Sequence, residues 1–279
     1  MIRTVLRTLV LWLVPGVLAA QSWRNFDVAH QSRDTASLAV HVTYGAGRVS
    51  LRPDSSHNLY DVHLRYDADR TGPVYHFDPG TRQLEIGIRR NATPTSMRHG
   101  DQNELNILLA RTTPLRLALD VGAAEGDYDL SGLRIDELSL QTGASDTRVH
   151  FDAPNPRRMR SMRVDAGAAS VRLSGLANAN AEHIDVNLGV GKVALNFDGE
   201  WRTDVQMSVN SALGEITVSV PSDVGVRVTS SSFLHAVDAP GLTKSGGALV
   251  SDNWASAKHR LEVRASGALG HLEIARVDR

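Results

Sequence analysis

The sequence predicts an all-β, β-solenoid-like stack of short strands with glycine corners, and three observations carry that prediction. Apolar and polar residues alternate with period two through most of residues 36–279, as in strands that bury one face. Similar hexapeptides recur around Gly122, Gly143, Gly167, Gly191 and Gly214, at steps of 21–24 residues. No long helical period competes with these signals. A repeat of this length is a solenoid signal, because one such unit cannot bury its own apolar face and a stack of them can. An antiparallel sandwich is the second architecture compatible with alternating strands and regular turns.

The elements follow in order. Residues 1–20, MIRTVLRTLVLWLVPGVLAA, carry two arginines, then an apolar stretch broken by Pro15-Gly16, then small residues up to Ala20. This is the pattern of a secretory signal peptide, cleaved near Ala20 and too short for a spanning helix. It predicts an exported protein, periplasmic or extracellular, with no transmembrane segment after cleavage. Residues 21–35 are polar and read as a flexible lead. Residues 36–112 form an amino-terminal β domain, with strands around Val42, Leu51, Val62 and Ile86, followed by a polar loop over 91–104. Residues 113–279 form the stacked-strand repeat domain, continuous with the first. Within it, Leu115, Leu117, Leu119 and Val121 alternate before Gly122, and Val193, Leu195 and Phe197 alternate after Gly191. Residues 229–260 are irregular, with one helical turn possible over 255–260. Corner positions are assigned to Gly45, Gly47, Gly122, Gly143, Gly167, Gly189, Gly191, Gly214 and Gly267, where glycine supplies a positive φ or room for a neighbouring backbone.

Composition excludes several functions. Thirty Lys and Arg against 31 Asp and Glu give a net charge of -1, without the basic excess that nucleic acid requires. The absence of cysteine removes disulfides, thiolate metal sites and cysteine nucleophiles. Gly189-Val190-Gly191-Lys192-Val193-Ala194 matches a dinucleotide fingerprint in spacing, but that fingerprint needs a helix here and the residues alternate as a strand. His41, His57 and His63 lie in one segment, and His41 and His63 could meet on paired strands, yet no zinc-ligand spacing accompanies them. The carboxylate pairs Asp127 and Asp129, Asp101 and Glu104, and Asp198 and Glu200 could serve acid–base chemistry on a polysaccharide or simply keep strand edges soluble. Catalytic, cofactor and metal residues are therefore assigned to none. Tyr44, Tyr60, Tyr66, Tyr75 and Phe77 concentrate in the first third, where they either bind a ligand or cap the open end of the stack.

At His41-Val42-Thr43-Tyr44-Gly45-Ala46-Gly47, at Leu64-Arg65-Tyr66-Asp67 with Val74-Tyr75-His76-Phe77, and in the serial copies from Leu119-Asp120-Val121-Gly122-Ala123-Ala124 to Phe197-Asp198-Gly199-Glu200-Trp201, the chain resembles the toast-rack family. That family is akin to adhesin-like β-solenoids and to the carboxy-terminal domain of LiaF-type envelope-stress proteins. The resemblance implies an extracytoplasmic β-stack without established catalysis, and it supplies no catalytic residues. LiaF-type proteins carry several membrane helices before this domain, and this chain carries only the signal peptide. The expected function is a non-catalytic, adhesin-like scaffold or binding module whose partner is an envelope polymer or envelope protein, without cofactor. The alternatives are a polysaccharide-acting enzyme on a β-helix and a partner in envelope-stress regulation.

Overall fold

The structure is a computed structural model that describes residues 22–31, 35–91, 103–231 and 236–278. The segment 1–20, expected to be a signal peptide, and most of the expected loop 91–104 lie outside the described residues. In chain order the strands are β1 (Trp23–Gln31), β2 (Leu38–Asp54), β3 (Asn58–Asp67), β4 (Thr71–Asp78), β5 (Gln83–Arg90), β6 (Glu104–Ala110), β7 (Pro114–Asp129), β8 (Arg134–Thr142), β9 (Asp146–His150), β10 (Met159–Ser174), β11 (Ala181–Asn196), β12 (Val205–Pro221), β13 (Gly225–Ser230), β14 (Ala236–Asp238), β15 (Leu242–Ser245), β16 (Ala248–Ser251) and β17 (Arg260–Val277). All belong to one hydrogen-bonded sheet network.

Seven rungs form the stack: β2, β7, the pair β8 and β9, β10, β11, β12 and β17, each parallel to the next. Each rung has two arms. In β7 the first arm buries Leu115, Leu117, Leu119 and Val121; after Gly122 and Ala123 the phase changes, and Ala124, Gly126 and Tyr128 are buried. On a flat strand that change would send the second arm's apolar residues to the opposite face. Both sets lie in one hydrophobic cluster, so the chain folds over at the phase change and the arms enclose the core between them.

The register locates the corner. Tyr44 faces Val121 and Ala46 faces Ala123, with Gly45 and Gly122 between them. Leu188 faces Ser211 and Val190 faces Leu213, with Gly189 and Ala212 between them. The corner column is thus Gly45, Gly122, Gly143, Gly167, Gly189, Ala212 and Ala268. Gly47, Gly191 and Gly214 stand two residues further on, in a second column with Ala124, Ala169 and Gly270. Gly267 pairs with Ser211, one residue before the corner. The glycine series read from sequence therefore mixes neighbouring columns. The corner also does not interrupt hydrogen bonding: in most rungs a single strand of 16–18 residues runs through it.

Close stacking explains most of these glycines. A Cβ at Gly122 would lie 2.6 Å from the Gly45 carbonyl oxygen, and one at Gly189 2.8 Å from that of Gly167. At Gly191 the φ of +133° adds to an approach of 2.1 Å to the Ala169 oxygen.

Both ends of the stack are closed by strands that depart from sequence order. β5 pairs with the first arm of β2 and β6 with its second arm, so this capping coil precedes β2 in space while following it in sequence. At the other end β13 and β14 pair with the two arms of β17. Antiparallel additions complete the caps: β4 on β5, β3 on β6, β1 on β3, and the hairpin of β15 and β16 on β13. β1 corrects the expected flexible lead. Its Phe26 and Val28 pack on the core and His30 stacks on Tyr60, while its other polar residues from Arg24 to Gln31 face out, and this half-buried edge position accounts for its polar composition. The expected irregular stretch 229–260 likewise contains β14, β15 and β16, and its one i to i+4 bond among the described backbone contacts, from the Ala257 amide to the Asn253 carbonyl, closes a turn that ends where the expected one at 255–260 begins.

Return turns join the rungs, and buried asparagines stitch them. Asn155, fully buried, donates Nδ2 to the carbonyls of Ile135 (2.8 Å) and Ala179 (3.2 Å), and its Oδ1 accepts from the amides of Ile135 and Arg157. Asn178 does the same between Phe151 and Glu200. Trp201 closes its turn by stacking on Phe197, with Nε1 donating to the Phe197 carbonyl at 3.2 Å.

Candidate functional site

The strands place one residue per rung just before the corner, facing outward. These residues are Thr43, Asp120, Gln141, Asp165, Asn187, Asn210 and Ser266, in consecutive register across the stack. Period-two alternation sets their direction, because the next residue of each rung turns inward. They form one wall of an open groove of about 990 Å³, whose other lining residues include the corner column from Gly45 to Ala212. Six steps at about 4.8 Å each give the groove a length of about 29 Å. It contains two carboxylates and no Lys or Arg.

The wall is internally bonded. The Ser266 hydroxyl donates to Asn210 Oδ1, Asn210 Nδ2 donates to Asn187 Oδ1 at 2.8 Å, and Asn187 Nδ2 donates to Asp165 Oδ1 at 2.6 Å. Each bond points the same way along the stack and the series ends on a carboxylate. Each carboxamide keeps one N–H and one oxygen lone pair for another partner. At the other end, His41 Nε2 lies 2.7 Å from Asp120 Oδ2. Two residues that turn inward behind the wall carry buried hydroxyls. The hydroxyls of Tyr44 and Ser211, with 1% and 3% of each residue exposed, have no hydrogen-bond partner among the described residues.

Just past the corner stand Ala46, Ala123, Ala168, Val190, Leu213 and Leu269. Val190, Leu213 and Leu269 are each more than half exposed, so the far side of the corner is an apolar ridge.

The predicted aromatic set divides. Tyr60, Tyr75 and Phe77 gather with Phe26 and His30 at the capped end, where the Tyr60 and Tyr75 hydroxyls lie 2.8 Å apart and His30 stacks on the Tyr60 ring. Tyr66 is partly buried against the core. Tyr44 is separate from that cluster, beneath the corner. Burial, then Glu104 and Tyr128, pushes its hydroxyl well above the ordinary tyrosine range; burial does the same to Tyr128.

Asp127 and Asp129 both approach His150, at 3.9 and 3.7 Å, with Asp152 at 3.2 Å from the same ring, and the described members of the other pairs bond elsewhere. Asp127 bonds Arg52 at 2.5 Å. Asp129 receives the Ser131 amide at 2.9 Å, and although burial opposes ionisation, the hydrogen bonds from Ser131 hold its carboxyl below the usual range. Glu104 accepts from Asn106, Asp198 accepts from the Gly175 amide at 2.7 Å, and Glu200 bonds Arg202. Asp101 lies outside the described residues. His41 and His63 do not meet. β3 pairs with β1 and β6 rather than with β2, and His63 contacts Asp27 and Asp61. Gly189 to Ala194 lies inside β11, and Lys192 pairs with Glu215 at 2.8 Å. Alternation marks Asp120 and Asp165 as polar-face residues, but not the wall as a unit. Its signal was a polar residue two positions before each corner, hidden because the corner columns were not yet separated.

Solved structures to which the chain is similar over most of its length include the following. A candidate cell adhesion protein from Clostridium sporogenes is 16% identical, with 92% of this chain and 100% of that chain covered and a TM-score of 0.45. A candidate adhesin from Bacteroides fragilis is 8% identical, with 91% and 98% covered and a TM-score of 0.46. A candidate adhesin from Parabacteroides merdae is 10% identical, with 93% and 98% covered and a TM-score of 0.35. No curated protein matches the chain. The family described as "N-terminal domain of toast_rack, DUF2154" matches residues 20–174, a span that takes in β1 to β10 and more than half of the sequence, and the chain belongs to that toast-rack family.

Proposed function

We propose that this protein is a non-catalytic, adhesin-like binding module of the cell envelope, exported by its amino-terminal segment. The observation that carries the reading is the groove. It runs unbroken across seven rungs, so it suits an extended partner better than a small substrate. The carboxylates that would be needed for hydrolysis support the same reading, because they are engaged in ion pairs, caps and turn contacts, and Asp127 and Asp129, which share His150, lie on one strand rather than on opposite walls of a cleft. Among the described residues no helix is long and apolar enough to cross a membrane, and the stretch from Arg3 to Ala20 has the order of a secretory signal.

Cosedimentation of the purified chain with insoluble envelope polymer from the producing cells tests the binding role. Retention in the pellet, reversed by excess soluble polymer, is the expected result; full recovery in the supernatant overturns it. Export is tested separately by mass spectrometry of the protein recovered outside the cytoplasm, with a mature amino terminus at Gln21 expected. Recovery only in the cytoplasm with Met1 retained overturns the export reading.

A further inference from the structure

The geometry points to a more specific ligand for the groove, and this inference rests on the binding role just proposed: we infer that the groove holds an extended, uncharged polysaccharide along the stack axis. Three features of the site lead there. The wall offers hydroxyl, carboxamide and carboxylate groups from Thr43 to Ser266, once per rung at about 4.8 Å, close to the advance of one pyranose unit in an extended glycan. A chain of sugars can therefore meet the same set of groups at each step. Asn187 and Asn210 each retain a free donor and a free acceptor after bonding their neighbours, which matches sugar hydroxyls that both give and accept protons.

The second feature is the floor. Corner glycines leave flat backbone without side chains, against which the C–H face of a pyranose ring can lie. The third is charge. Asp120 and Asp165 are the charged residues of the lining, and they disfavour an anionic polymer, which would find no cation there. An extended peptide is less suitable. Adding a strand needs an open sheet edge, and each inner rung is already paired on both sides.

The test is calorimetric titration of the full chain with cellohexaose, laminarihexaose, hexaglucosamine and hexagalacturonate, with the corresponding trisaccharides beside them. A neutral hexasaccharide is expected to bind, at least tenfold more tightly than its trisaccharide and than hexagalacturonate. The double variant Asn187→Ala, Asn210→Ala is expected to lose at least tenfold in affinity while keeping the wild-type circular dichroism and melting temperature. Lys192→Ala, on the other side of the corner, is expected to bind like wild type. If the double variant melts early, Gln141→Ala and Ser266→Ala are read in its place. Preference for hexagalacturonate or hexaglucosamine, no binding of either neutral hexasaccharide, or unchanged affinity in the groove variants overturns the inference. The envelope-polymer pelleting assay separates the two ideas. Pelleting that persists in the groove variants leaves the binding role standing and removes this site, whereas loss of pelleting by the wild type removes both.

Discussion

Asn155 is uncharged, fully buried and bonded through both ends of its carboxamide to backbone groups of neighbouring turns. Replacing it with alanine strands the Ile135 amide and carbonyl away from water, so Asn155→Ala is expected to cost about 2–4 kcal/mol, measured by urea unfolding. A loss within the ordinary range of a surface change would show that the turns hold without it. The tyrosines make a second residue-scale prediction. Tyr44 and Tyr128 are raised chiefly by burial, and Tyr60 by burial and its bond to Tyr75. A raised folded-state value means the contribution is intact below the ordinary tyrosine value of about 10 and is lost as pH climbs toward the raised one. Phenolate absorbance from these three is therefore expected only as the chain unfolds in alkali. Smooth titration of all five tyrosines in the folded protein would contradict their placement. Little of this was legible beforehand: a polar Asn and a Tyr carry no mark in the sequence that tells a buried partner from a surface one.

The two-armed rung is the structural element, and its corner separates two reasons for glycine. Gly45 has nothing within 4 Å of a would-be Cβ, whereas Gly214 has the Gly191 carbonyl oxygen at 2.4 Å and Gly167 has that of Gly143 at 3.0 Å. Neither Gly214 nor Gly167 has a positive φ, so their sensitivity isolates steric approach from backbone strain. Gly214→Val and Gly167→Val are expected to destabilise by about 2–4 kcal/mol, while Gly45→Ala changes stability by less than about 1 kcal/mol. Equal effects at Gly45 and Gly214, read from thermal melting, would reject the close-stacking explanation. The rung itself was readable, because alternation on either side of a glycine survives in any single strand. Which glycine stood at the corner was not. Gly189 and Gly191 lie two residues apart, return turns differ in length, and only the hydrogen-bonded register aligns one rung with the next.

Across the whole molecule, each rung contacts chiefly its neighbours, so local stability should follow position in the stack. Amides of β10 and β11, paired on both sides over nearly their full length, are expected to exchange most slowly in native-state hydrogen exchange. Those of β1 and β15, each paired on one side, are expected to exchange orders of magnitude faster. Uniform protection from end to end would mean that the caps and the middle unfold as a single unit. The groove is also a property at this scale, since its wall takes one residue from each of seven strands and exists only when all are stacked.

The amino-acid sequence alone determined that the chain is all-β, that it repeats at 21–24 residues and that glycine punctuates the repeat. These are local properties, set by the period of the pleat and by the steric demands of a tight bend. Tertiary structure decided the rest. It placed β5 and β6 before β2 and put β13 and β14 after β17, reversing sequence order at both ends. It also turned the polar lead into β1 and aligned Asp165, Asn187 and Asn210 into one wall. The physical reason is that parallel pairing is non-local. A strand's neighbour is chosen by the edge left open and the core left uncovered, and neither is a property of the strand's own residues.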